Sequence, residues 1–548
     1  MLLRAVRVEN FRGIRRSTLS FDCTTVLIGE NDCGRSSLLE AVALVLSSNA
    51  AETPFRFEPF HFRHRTGAEP PSRSLVIELV FAESSEGEWS GPDFEQLRAS
   101  LPGVLGRDRC FSLEVTGHEA GASCWTFRSA GGPPRVDDHD LLGWLRRRIP
   151  VFWLRGGVIA DARAASPPPA GRGTEPITRH YLDLIEGTAP DAGAAIESGS
   201  AAARKLLLDR ANLLRDHRTP LAEVLEGFTS KRKGGRSRSA PDPLRNFGTA
   251  AQNIGILLFV GTMLRLGAER VERGMDPLTL IENPEAHLHP MTLASIWNVI
   301  DRIGGQKIIA THSGTLLASA RLSSVRRLTR SRDGTVKEWR VPEGALTADE
   351  LRRYTYHLRS RRAAASFARC WILVEGETEF WLMGELARVC GYDLASEGVT
   401  CVEFAQCGLA SLIKVAQHLG IEWHLLADGD QAGQNYADAA GRLAGSRGIR
   451  DRVTLLQEPD IEHCFWRYGY ADVLRRVAFP QTSSVDAAAQ RRMPPKSVIR
   501  RAIEKHSKPF LAVLLLDALI DRGPAGVPPP LKKAIDTCIR LARGCPLP

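Results

Sequence analysis

The sequence predicts an α/β protein of more than one domain, and three observations carry that expectation. Residues 25–28 read as a strand that passes through a glycine-bearing loop, 29–37, into a helical pattern starting at Leu38. Two further apolar runs, 278–281 and 307–310, end in polar residues, Glu282 in one and Thr311-His312-Ser313 in the other. From Cys370 onward, short apolar strands alternate with amphipathic helices, and the strand ends carry carboxylates. Apolar runs that turn polar only at their carboxyl ends are the pattern of buried parallel strands, and open α/β sheets bind ligands at those ends.

At 548 residues and 43% hydrophobic content the chain can bury several cores, two to four at about 100 to 200 residues per domain. Lys+Arg exceeds Asp+Glu by 72 to 63, a mild excess that permits a polyanionic partner without demanding one. Only 11 of the basic residues are lysine, which makes each lysine informative. The 11 cysteines are scattered and form no Cys-x-x-Cys pair, so a disulfide framework or a zinc ribbon is not expected and a reducing compartment is. Residues 1–13 hold no signal-peptide core, and the apolar runs 254–264 and 510–516 are too short to span a bilayer. A cytoplasmic protein with no membrane partner is the expectation.

Taken in order, residues 2–9 alternate apolar and charged side chains as a half-buried strand does, and 19–21 and 25–28 supply further strands. In the loop that follows, Gly29 and Gly34 allow backbone N–H groups, with those of Asn31 and Ser37, to wrap a phosphate. The start of the helix adds its dipole, and the Ser36 hydroxyl is placed to hold Mg²⁺. Arg35 stands where this pattern expects lysine. It keeps the charge but is planar and bulkier, so the exchange is not a free one. Residues 75–81 and 110–115 look like strands, 144–149 like the end of a helix, 166–174 like a Pro/Gly-rich linker and 201–214 like a helix. The basic run 230–238 reads either as a solvated loop or as a phosphate-backbone contact. Residues 246–252 read either as a helix cap or as an anion-binding helix start before the apolar helix 254–266. The strand ending in Glu282 is followed about 30 residues later by the one ending at His312, which is placed to polarise a terminal phosphate or its attacking water.

The loop at 29–37, the segment Glu282-Asn283-Pro284-Glu285-Ala286-His287-Leu288-His289-Pro290 and the segment 308–318 resemble the ABC-type ATPase module of the OLD (overcoming lysogenisation defect) family, which is similar also to recombination and SMC ATPases. The resemblance implies ATP held with Mg²⁺ at the interface of a head-to-head homodimer or higher homo-oligomer, with Glu282 on the metal and His312 as the switch histidine. It also implies a water-orienting carboxylate after Glu282, where this chain has Asn283. An amide cannot accept a proton from water. Together with Arg35 this puts hydrolysis in question more than binding. Glu285 is a possible substitute, and the pair His287 and His289 reads either as a metal site or as interface structure.

In the second half, strands are expected at 371–374, 399–404, 423–427 and 453–456, with helices at 380–389 and 409–419. The first strand ends in Glu375, with Glu379 one helical turn on, and the third ends in Asp428 and Asp430. Carboxylates so close repel unless a hard cation neutralises them, so Mg²⁺ or Mn²⁺ is the natural occupant. A glutamate strand end followed about 50 residues on by Asp-x-Asp-x-x-Gly resembles the TOPRIM domain of topoisomerases, primases and OLD nucleases. That resemblance implies a second metal assisted by Glu462, with Glu458 its rival, and a C-terminal lysine, Lys508, that stabilises charge on the scissile phosphate. No tyrosine nucleophile is required, which argues against a topoisomerase.

The expected organisation is therefore an ABC/SMC-like ATPase domain over 1–345 with a helical insertion at about 175–240, a linker at 346–368 within which 351–362 reads either as a basic helix or as connecting chain, a TOPRIM nuclease domain over 369–470 and a helical extension over 471–548. The expected activity is metal-dependent cleavage of DNA under control of ATP, in phage defence or repair, with a protein partner in a defence system also open. A non-cleaving recombination-type ATPase and a nucleotide sensor that gates the nuclease are the alternatives.

Overall fold

The computed structural model describes residues 1–46, 57–63, 72–106, 109–119, 123–155, 158–159, 275–286, 293, 297–298, 300–301, 303–357, 363–445, 452–480 and 487–544. The expected helical insertion, the segments 166–174, 201–214, 230–238, 246–252 and 254–266, and His287 and His289 lie outside the described residues. The chain forms two compact units, Met1–Trp339 and Arg340–Pro548.

The first unit is built on one sheet of thirteen strands. In chain order its main elements are β1 (Leu2–Phe11), β2 (Ile14–Ser20), β3 (Thr24–Gly29), α1 (Arg35–Leu46), β4 (Ser74–Ala82), α2 (Glu95–Ser100), β5 (Cys110–His118), β6 (Ser123–Ser129), β7 (Arg135–Val136), α3 (His139–Arg148), β8 (Val151–Arg155), β9 (Val158–Ile159), β10 (Leu278–Glu282), β11 (Gln306–Ala310), α4 (Gly314–Ser319), β12 (Val325–Arg330) and β13 (Thr335–Trp339). The strand order is β7-β6-β5-β4-β1-β2-β13-β12-β3-β11-β10-β8-β9.

Two kinds of sheet are fused here, and the sequence pattern distinguishes them. From β7 to β2 neighbours are antiparallel, and β1 buries Leu3, Val6, Val8 and Phe11 while Arg4, Arg7 and Glu9 face outward. From β12 through β3, β11 and β10 to β8 they are parallel, and β10 and β11 are buried at every position. Only strands covered on both faces carry such unbroken runs. Parallel pairing also places the carboxyl ends of β3, β10 and β11 on one edge: Ala310 lies opposite Leu27 on one side and Glu282 on the other.

The second unit contains α5 (Ala348–His357), β14 (Cys370–Val374), α6 (Glu377–Val389), β15 (Val399–Glu403), α7 (Leu409–His418), β16 (Glu422–Ala427), α8 (Gln431–Ala444), β17 (Val453–Leu455), α9 (Ile461–Phe465), α10 (Ala471–Ala478), α11 (Ala487–Arg492), α12 (Pro495–Lys505), α13 (Lys508–Arg522) and α14 (Pro529–Ala542). Its four strands are all parallel in the order β15-β14-β16-β17. The chain steps from β14 to β15 in one direction and then crosses back to β16. Right-handed crossovers therefore put α6 and α7 on opposite faces, and the direction reverses beside β14.

Two boundaries differ from those expected. The stretch read as a linker over 346–368 contains α5, which packs on α7 with Tyr354 buried and Glu350 bonded to Lys414 at 2.7 Å. The stretch read as a separate helical extension contributes Leu511, Leu515, Leu531 and Cys538 to the same core as Cys370 and Ile372 of the sheet. The reason is physical: a four-stranded parallel sheet needs both faces covered, and α14 covers β14 and β16.

Candidate functional site

At the carboxyl edge of the first sheet, Gly29 ends β3 with φ of +152°, and a Cβ there would lie 2.5 Å from the carbonyl oxygen of Leu328. Only glycine permits the turn that carries the chain from the strand into the loop. Beyond exposed Asn31, Gly34 and half-buried Ser37, α1 begins at Arg35. The Ser36 hydroxyl donates to the Glu282 carboxylate, so the two groups expected to share a cation are already in contact across 246 residues.

Arg35 is placed differently from a phosphate-reaching lysine. Its guanidinium is buried, donates from Nη1 to the Thr311 carbonyl at 2.7 Å, and lies 2.9 Å by Nη2 from His312 Nδ1. Burial first, and then the Arg35 charge, lower the His312 pKa, so the imidazole is neutral near pH 7 and can accept from the guanidinium. Glu285 is engaged at the same strand end: its carboxylate accepts from the His312 N–H at 2.6 Å and from the Thr311 hydroxyl at 2.9 Å. Asn283 adopts a left-handed φ of +49°, a conformation asparagine tolerates better than glutamate, and its N–H donates to Ala310 at 2.8 Å.

At the carboxyl edge of the second sheet the geometry gathers acids from three strand ends. Glu375 follows β14, and Glu379 in the first turn of α6 accepts from the Gly376 N–H at 3.1 Å. Asp428 follows β16, and Asp430 caps α8 by accepting from the Gly433 N–H at 2.8 Å. After β17 come Glu458, Asp460 and Glu462, with Asp460 capping α9 through the His463 N–H at 2.8 Å. Strands β14 and β16 are neighbours at the point where strand direction reverses, the place where open sheets bind ligands.

The electrostatics of this edge are those of uncompensated negative charge. Burial, followed by Glu379, Asp460, Glu375 and Glu462, pushes Asp428 up to about 8. Burial, Asp430 and Glu379 raise Glu375. Burial also raises Glu462, which is only 2% exposed and whose two carboxylate oxygens lack any hydrogen-bond partner. Its nearest cation is Lys508, with Nζ 3.7 Å away. Burial alone would lower the Lys508 ammonium, but Glu462, Asp460, Glu379 and Asp428 outweigh it and hold it above its ordinary value. Glu458, the rival to Glu462, is paired with Arg467 at 2.6 Å. Asp460 was not singled out in the sequence; its position two residues before Glu462, at a helix cap, is the signal that marks it.

All the donors are carboxylate oxygens, which suit a hard divalent cation, and the two oxygens of Glu462, neither of them hydrogen-bonded, fit one. The side chains stand apart as they are: among the described residues no three His, Cys, Asp or Glu side chains form a group that could hold a metal. One consequence is a pH effect on the metal-free protein. Asp428 has its folded pKa raised from 3.8 to about 8, so the folded state binds more protons than the unfolded one across that window. Stability should fall as pH rises from about 4 to about 8, by up to about 1.4 kcal/mol per pH unit. Urea unfolding in EDTA at stepped pH measures this, and a flat profile that Asp428→Asn leaves unchanged would contradict it.

A sheet edge that turns a glycine loop onto a serine and a buried glutamate, and a second parallel sheet edged with acids in a TOPRIM domain, define an α/β protein of two units. The chain belongs to the YbjD family, and its second unit carries an OLD-like TOPRIM domain. A family model described as "Overcoming lysogenization defect protein-like, TOPRIM domain" matches residues 367–430, and one described as "Protein of unknown function (DUF2813)" matches 1–118 and 224–365. The Escherichia coli (strain K12) relative "Uncharacterized protein YbjD" is 33% identical over 584 aligned positions, 99% of this chain and 100% of its own length. The "Old nuclease" of Escherichia phage P2 is 25% identical over 201 positions, which span 34% of this chain and 33% of that relative. The solved C-terminal region of the Burkholderia pseudomallei OLD protein overlaps 32% of this chain and 98% of its own at 18% identity and a TM-score of 0.28. No helix among the described residues is long and apolar enough to cross a membrane.

Proposed function

We propose that the protein is a DNA endonuclease dependent on Mg²⁺ or Mn²⁺, in which the second unit cuts and ATP binding by the first unit regulates the cut. The observation that supports this most is the acidic edge of the second sheet, where Asp428 is held near 8 and Glu462 has no hydrogen-bond partner. Glu375, Asp428, Asp430 and Glu462 would hold the cation. Bound there, it would supply Lewis-acid stabilisation of the phosphodiester and a more acidic water. Glu379 holds the first turn of α6 in place through Gly376 and adds negative charge beside Asp428. Lys508, positively charged and 3.7 Å from Glu462, would meet charge that develops on the scissile phosphate. Homodimerisation through the first unit, and a role in phage defence or repair with a protein partner, complete the reading. Conversion of supercoiled plasmid to nicked circles in Mg²⁺ or Mn²⁺, compared between wild type and Asp428→Asn, is the test. No cleavage with either metal would overturn it.

A second reading concerns the nucleotide: binding would gate the nuclease with little turnover. Asn283 supplies no base, and Glu285 is engaged by Thr311 and His312. Asn283→Glu should raise steady-state phosphate release by about a hundredfold, the scale of a positioned general base. Wild-type release already as fast as in the variant would remove the gating reading. Ser36→Ala should weaken binding of Mg²⁺–ATP by about tenfold in a fluorescent-nucleotide titration while leaving binding of metal-free nucleotide nearly unchanged, because the lost group is the metal's ligand.

A further inference from the structure

We infer that the second unit holds a further anion site, remote from its acidic edge, for a nucleotide-like ligand: a small molecule with clustered phosphates and an apolar body. The site is a cavity of about 710 Å³, lined by Tyr392 after α6, by the turn after α13 and by one face of α14. That volume lies in the range of small-ligand clefts, about 300 to 1,000 Å³. Its place follows from the two helices that lead to it. Helices α6 and α13 pack against each other, and both start at the acids, α6 with Glu379 in its first turn and α13 with Lys508, which stands 3.7 Å from Glu462. Tyr392 lies just past the end of α6 at Val389, and Pro524 just past the end of α13 at Arg522. The 13 residues of α6 rise about 20 Å, so the cavity lies a helix length from the acidic edge.

The charge comes from α14. Its residues Leu531, Ala534, Ile535 and Cys538 are buried in the core with Cys370 and Ile372. Lys532, Asp536, Arg540 and Arg543 recur at helical spacing on another face, and with Lys533 they line the cavity. Four cations thus meet one lining carboxylate, Asp536. Arg543 is steadied by Glu397, to which its Nε donates at 2.7 Å, and Arg540 Nη2 donates to the Thr537 hydroxyl at 3.3 Å. Lys532 and Lys533 are exposed. The remaining wall carries no charge: Tyr392, Val527, Pro524 and Pro529. Asp536 acts on the Tyr392 phenol and, with Lys532, on the Cys390 thiol, so the wall and the helix face each other closely. Converging cations hold phosphates through charge-assisted hydrogen bonds, the uncharged wall suits the body of a nucleoside, and Asp536 accepts from a sugar hydroxyl or a base amino group. Inorganic phosphate would leave that wall uncovered.

The test footprints lysines of the full chain in EDTA. Acetylation rates of Lys532 and Lys533 are read by mass spectrometry with ADP, pyrophosphate, adenosine or a single-stranded oligonucleotide present, and exposed Lys496 serves as the reference. Saturating ADP should slow acetylation of Lys532 and Lys533 by about tenfold and leave Lys496 unchanged. Half-protection should need about tenfold more ADP in Arg540→Gln, and in wild type about tenfold more pyrophosphate than ADP. No protection of either lysine, equal protection of Lys496, or a half-point that Arg540→Gln leaves in place overturns the inference. Adenosine or pyrophosphate that protects as well as ADP overturns the ligand class, and an oligonucleotide that protects at lower concentration than ADP replaces the small-molecule site with a nucleic-acid surface. None of these readings involves plasmid nicking, so failure here is separate from failure of the nuclease reading.

Discussion

Asp428→Asn should reduce plasmid nicking to below about a thousandth of the wild-type rate in saturating Mg²⁺, with the protein still folded. The loss follows from the place of the carboxylate at the end of β16, beside Glu375 at the end of β14. An amide there keeps the shape but removes the charge that a divalent cation needs, and contributions of this kind are worth about 10² to 10⁴ in rate. The fold survives because Asp428, held near 8 without metal, is mostly protonated at pH 7, and an amide imitates a protonated acid. Circular dichroism and the unfolding midpoint in EDTA should therefore match wild type. Nicking that persists within tenfold of wild type would remove the assignment.

Gly433→Ala should have the largest structural effect. Gly433 lies in the first turn of α8, and a Cβ there would sit 1.8 Å from the Asp428 carbonyl oxygen. That neighbour is backbone, so no side chain can rotate away. Either α8 moves off β16 and the Asp430 cap is lost, or the Asp428 backbone moves. Overpacking costs about 1 to 3 kcal/mol, and loss of the cap adds about 1. The unfolding midpoint of the second unit should fall by roughly 5 to 10 °C, with nicking lost as well. An unaltered midpoint and full activity would show that the turn is not as tight as described.

The parts of this molecule that were legible in the sequence are those in which local pattern and function coincide. Gly29, Ser36 and Glu282 were readable because a strand that ends in a glycine loop and another that ends in a carboxylate are local signals, and Ser36 and Glu282 stand in contact. The acid edge was readable for the same reason at Glu375 and Asp428. What escaped depends on contacts distant along the chain. The turn of Arg35 toward His312 crosses 277 positions, and nothing near either residue announces it. The segment 346–368 looked like a linker because a basic, polar helix such as α5 shows its packing only through Glu350 and Lys414. The C-terminal helices looked peripheral because their apolar stripes do not say which sheet face they cover.

The strand order of the first sheet has a consequence for how the chain comes into being. Strand β3, which leads into the glycine loop, pairs with β11 on one side and β12 on the other, and Thr24 meets Lys307 in that register. These partners are made roughly 280 and 300 residues after β3 itself. At a ribosomal pace of about 5 to 20 residues per second, the strand waits tens of seconds without either neighbour. Its antiparallel companions β1, β2, β4 and β5 can pair with one another long before that. The wing of the sheet is thus free to form early on the ribosome, while the edge that carries the glycine loop can close only after β12, which ends at Arg330, has emerged. Until then an apolar strand stands unpaired, and chaperone shielding of residues 24–29 would fill that interval.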